Sequence, residues 1–177
     1  MNNTANEIAN GIKIPEETPN AKALREAKEQ LILINGILER PEIKRILDNI
    51  QTSIPFLSDT DSRQLADKIN KFHASSLHTA MCAAQTTPRD DFSFLIDRTK
   101  SLKDALCKIF DDVTFYIQFT RGAAKAEMDE QEERAERRYI EILLIVANAY
   151  RELTNLPVIE MPKLCVLAHQ GTAQKKR

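Results

Sequence analysis

Apolar residues recur at steps of three and four along most of this chain, and that spacing predicts helices. Leu24, Ala27, Leu31, Ile34 and Leu38 set one stripe over about 20–39. Arg40 precedes Pro41, which drives it away from helical geometry. A second short helix then starts with Pro41 in its first position and points Ile43, Ile46, Leu47 and Ile50 inward. Residues 20–51 therefore read as one helical arm broken at Pro41.

After the capping residues of SIPFLSDTDS, a helix over about 59–84 carries Leu65, Ile69, Phe72, Ser76, Ala80 and Ala83 on one side. In TTPRDDF, Thr87 reads as an N-cap, Pro88 as the first helical residue, and Asp90 and Asp91 as acids against the positive helix end. The seam that follows is Phe92, Leu95, Thr99, Leu102, Leu106, Ile109, Val113 and Tyr116, with Arg121 and Gly122 as its expected end. A last helix over about 123–156 stops before Pro157 and would be about 50 Å long.

That last segment changes style midway. AEMDEQEERAERR is nearly all charge and YIEILLIVANAY nearly all apolar, yet one seam links them: Ala124, Met128, Ala135, Tyr139, Ile142, Val146, Ala149, Leu153 and Leu156, interrupted only by Gln131. Glu130 with Arg134 and Glu133 with Arg137 are acid-first pairs four apart, which support a helix where packing is thin. Residues beyond Tyr139, apolar over most of the circumference, are expected to be fully buried. Residues before it are expected to form a stripe that is either a solvated helix face or a partner surface.

The sum is an all-α chain: an antiparallel up-down bundle of four arms, the first broken at Pro41, whose two long C-terminal helices form a hairpin. Residues 1–19, with Pro15 and Pro19 and no sustained period, read as a flexible N-terminal arm. Residues 20–156 form the bundle, and 157–177 a tail with room for a short capping helix after Pro162.

Composition narrows the function. In 177 residues, 42% are apolar and 29% charged, and 25 Lys and Arg stand against 26 Asp and Glu, so no net field draws the chain to nucleic acid. The basic QKKR of the tail and Arg134, Arg137 and Arg138, set among acids, do not change that reading. Cys82, Cys107 and Cys165 are odd in number and outside any C-x-x-C pair, which argues against a disulfide framework. No apolar run reaches the roughly 20 residues of a membrane span, and the start lacks the basic and apolar regions of a signal peptide. A cytoplasmic protein is the simplest reading; delivery outside the producing cell without a cleavable signal is the alternative.

Chemistry is sparse. His73 and His78 are five apart, about 140° around a helix, and cannot share a metal from one face. His73 reads as a partly buried structural histidine. His78 and Cys82 share a face and would suit a nucleophile with its base or half a metal site, but no third group accompanies them. Asp97, Asp104 and Asp111 recur every seven residues off the seam, as a solvated stripe does. No phosphate-binding glycine loop or nucleophile elbow occurs, no acid stands three before any histidine, and no cofactor is implied.

Phe115 and Phe119, four apart and off their seam, are different. Bundle neighbours or the apolar tail residues Val158, Ile159, Met161, Leu164 and Val166 would cover them; uncovered, they would join the Met128 end of the last helix in an apolar patch. The expectation is a noncatalytic helical protein that binds another protein, or itself, through Phe115, Phe119, Met128, Gln131, Ala135 and Tyr139. The alternatives are an enzyme or metal protein using His78 and Cys82, and a bacterial secreted effector or secretion-associated protein with a flexible N-terminal arm.

Overall fold

The computed structural model describes residues 16–54, 57–124 and 132–162, with the side chains of 121–124 and 132–135 excepted. Six helices lie among the described residues and pack against one another: α1 Pro19–Leu38, α2 Pro41–Asp48, α3 Ile50–Ser53, α4 Asp59–Gln85, α5 Ser93–Ala124 and α6 Glu132–Thr154. The described residues contain no strand, and no described helix is long and apolar enough to cross a membrane.

Local chemistry explains the starts. The Thr18 hydroxyl accepts from the Ala21 N–H at 3.2 Å, with Pro19 in the first turn behind it. Arg40 is extended, with φ −61° and ψ 131°, as a residue before proline should be, and α2 starts at Pro41. Ser58 caps α4 by accepting from the Asp61 N–H at 3.1 Å and donating its own proton to the Asp61 carboxylate at 2.6 Å.

Two expected boundaries move. Thr87 does not open α5, because the Asp90 carboxylate turns back to accept from both the N–H and the hydroxyl of Thr87. The Asp90 N–H also bonds to the Thr87 carbonyl, so 87–90 closes as a turn, and Asp91 accepts instead from the Ser93 N–H where α5 begins. At the other end α5 runs through Gly122 to Ala124, so Arg121 and Gly122 do not end it and 123–124 do not open the last helix. Met128 and Gln131, the middle of the expected long seam, lie outside the described residues, as does the expected capping helix after Pro162.

The core follows the stripes. Leu24, Ala27, Leu31, Ile34 and Leu38 of α1, Leu65, Ile69 and Phe72 of α4, Phe92 to Val113 of the α5 seam, and Tyr139, Ile142, Val146, Ala149 and Leu153 of α6 are all buried in one cluster. α5 packs against α1, α4 and α6, and α2 packs against α6. Between α4 and α5, Tyr116 donates to Asp61 and Lys68 to Asp112, so residue numbers rise on one helix as they fall on the other. Ser76 donates to the Asn35 side chain, and Lys28 to the Thr86 carbonyl, joining α1 to α4.

The second half of α6 is not surrounded. Its buried side is a single ridge, while Ile140 and Leu144 are 43% and 60% exposed. The expected full burial beyond Tyr139 therefore fails, because α5 and α2, the helices that mainly pack on α6 among the described residues, leave part of its circumference uncovered. His73 is likewise exposed rather than partly buried, although its ring meets Phe72 edge-on at 6.2 Å.

Candidate functional site

Phe115 and Phe119 lie on α5 about half a turn from its buried ridge of Ile109, Val113 and Ile117. Their rings stack on each other with centroids 6.2 Å apart and planes 18° apart, and Tyr116 meets Phe115 edge-on at 5.7 Å. They remain 61% and 67% exposed.

The described part of the tail does not cover them. Ile159 and Met161 pack on the core, and the Gln30 amide donates to the Pro157 carbonyl at 2.5 Å, which ties the tail to α1. A cavity there brings together Thr18, Pro19 and Lys22 at the start of α1, Pro88 and Arg89, and Pro157, Val158 and Met161, so this part of the tail lies beside the turn before α5. Phe115 and Phe119 lie toward the far end of α5.

Sequence reasoning missed their neighbours. Ile140 and Leu144 of α6 also lie about half a turn from their buried ridge. The Tyr150 pKa is raised, chiefly by the charge of Asp111. α5 and α6 pack against each other, and on each of them an apolar pair four residues apart stays exposed, away from that helix's buried ridge. The signal was present as an i, i+4 apolar pair on each helix, but an apolar pair in a strongly apolar segment reads as core.

The other expected site residues are placed differently. Tyr139 is buried in the core at 4% exposure, where desolvation raises its pKa, so it is not on this outer side. Ala135 is on α6, but its side chain is outside the described residues, as Met128 and Gln131 are altogether.

The polar candidates separate too. The Cys82 Sγ lies 3.8 Å from the His78 Nε2, so the thiol and imidazole do meet on the outside of α4. Among the described residues no group of three or more His, Cys, Asp or Glu side chains could hold a metal. Cys107 is half-buried, and desolvation pushes its thiol up, away from the reactive thiolate. Asp97, Asp104 and Asp111 are exposed.

Comparison with protein-family models, with curated proteins and with solved structures finds no match.

Proposed function

We propose that this protein works by binding another protein, through the outer side of the α5–α6 pair. One observation carries the reading: Phe115, Phe119, Ile140 and Leu144 are large apolar side chains, 43–67% exposed, set in pairs four residues apart on two helices that pack against each other. Single exposed apolar residues are ordinary, whereas a gathered set is the usual mark of a protein-binding surface. Exposed apolar pairs four residues apart suit an amphipathic helix of a partner, laid against them with its own apolar stripe inward.

The same proposal includes the architecture that presents this face. We read α1 to α3 as one arm and α4, α5 and α6 as three more, each antiparallel to the next, with 20–156 as the bundle. The pairs Lys68–Asp112, Tyr116–Asp61 and Asn35–Ser76 support that order.

A photo-crosslinking residue in place of Leu144 tests the reading, with the same residue in place of the exposed Lys71 as control. The expected result is a discrete protein adduct from position 144 alone, lost when Phe115→Asp is added; an adduct of twice the chain mass identifies the partner as a second copy. Equal adducts from both positions, or adducts indifferent to Phe115→Asp, overturn the reading.

A further inference from the structure

A second cleft opens between α2–α3 and the early turns of α6, with a volume of about 510 Å³. That lies within the usual range of small-molecule sites. Arg45 of α2 and Arg137 and Arg138 of α6 line it. Among its described lining residues the only carboxylate is Glu141, 4.0 Å from the Arg45 guanidinium. The buried Ile46 and Ile142 form its apolar floor.

Ser53, the last residue of α3, supplies an independent sign of a ligand. It lines the cleft and is 4% exposed, yet its hydroxyl has no hydrogen-bond partner among the described residues. Buried hydroxyls are normally paired, so one without a partner in the wall of a cleft that Arg45 and Arg138 also line marks a place for a ligand atom. A ligand oxygen in the cleft would supply the partner.

We propose that this cleft binds a phosphate-bearing ligand, held by Arg45 and Arg138 and completed by the Ser53 hydroxyl. A planar guanidinium donates two parallel hydrogen bonds to one oxyanion. A phosphate has enough oxygens and charge to accept from two such forks and a hydroxyl together; a single carboxylate does not. Glu141 then acts as a resident competitor that holds Arg45 when the ligand is absent. The site is separate from the α5–α6 outer face, and its test is separate.

The test is calorimetric titration of the full chain at low salt with inorganic tripolyphosphate, alongside flotation with phosphatidylcholine vesicles with or without phosphatidylinositol 4-phosphate. Saturable binding of tripolyphosphate is expected. Binding only to the phosphoinositide vesicles supports the same chemistry and names a lipid headgroup as its source. Arg45→Gln and Arg138→Gln should each weaken binding about tenfold, and Ser53→Ala by a smaller factor, with helical circular dichroism unchanged. Glu141→Gln should tighten binding, while Glu29→Gln, which removes an equal charge from the outside of α1, should not. Absence of binding in both formats, indifference to the arginine replacements, or equal tightening by the two glutamine variants would overturn the proposal.

Discussion

Arg40 holds Glu152 with both terminal nitrogens of its guanidinium, at 2.8 and 2.5 Å, across 112 residues of chain. Arg40 stands at the break between α1 and α2, and Glu152 in the last turn of α6, so the pair locks the broken arm to the final helix. The hydrogen bond from Arg40 is the main cause holding the Glu152 carboxyl below its ordinary value of 4.5. A depressed carboxyl pKa stabilises the fold fully above about 4.5, and that contribution is lost as pH falls through the lower folded value. Arg40→Gln should therefore lower stability at neutral pH and make little difference once Glu152 is protonated. Both side chains are more than a third exposed, so the neutral-pH effect should be at most about 1 kcal/mol after solvent screening. Denaturant midpoints of the two proteins at pH 7 and at acid pH measure it; an equal difference at both would refute the account.

Phe110 and Phe115 sit five residues apart on α5 with opposite fates, at 1% and 61% exposure. Phe110→Ala should cost about 3–5 kcal/mol through lost burial and a cavity. Phe115→Ser should stay within about 0.5 kcal/mol of the parent while removing partner binding. Urea unfolding of both variants checks the contrast, and a large loss from Phe115→Ser would mean that its ring is structural.

Gly36 is in α1, on an exposed side, and a methyl group added there would meet nothing within 4 Å. An alanine would restrict the unfolded chain without straining the folded one. Gly36→Ala should raise stability by about 0.4–1 kcal/mol, visible as a higher melting temperature. A lower one would show that the outer side of α1 is occupied.

Ser76 donates its hydroxyl proton to the Asn35 carbonyl oxygen where α1 meets α4, and both groups are at least partly buried. Ser76→Ala alone should cost about 1–3 kcal/mol, because the Asn35 amide is left without its donor. Adding Asn35→Leu should recover part of that loss, since no unpaired polar group then remains. Strict additivity in a double-mutant cycle would contradict a direct coupling.

Much of the fold was legible in periodicity. The stripe from Leu24 to Leu38, the break at Pro41 and the α5 ridge from Phe92 to Val113 are all where the spacing places them. The start of α5 was not, because Thr87 and Asp90 satisfy either a cap or a closed turn, and only the direction in which the Asp90 carboxylate turns decides between them. Half of the candidate face was legible too: Phe115 and Phe119 stood off their seam as aromatic residues with no partner in view. Ile140 and Leu144 were hidden inside a segment so apolar that its exposed side looked like its buried one. Arg45, Arg137 and Arg138 lie some ninety residues apart in two groups, and nothing in their spacing announces a shared cleft.

The sequence by itself determined that the chain forms helices and which ridge of each faces the core, because both follow from local sterics and a 3.6-residue period. Tertiary structure alone decided which of the remaining faces stay at the surface. A helix has more apolar circumference than one neighbour can cover, and how many neighbours each helix gains is a property of packing. That is why Tyr139 is in the core and Leu144, five residues later on the same helix, is left facing out.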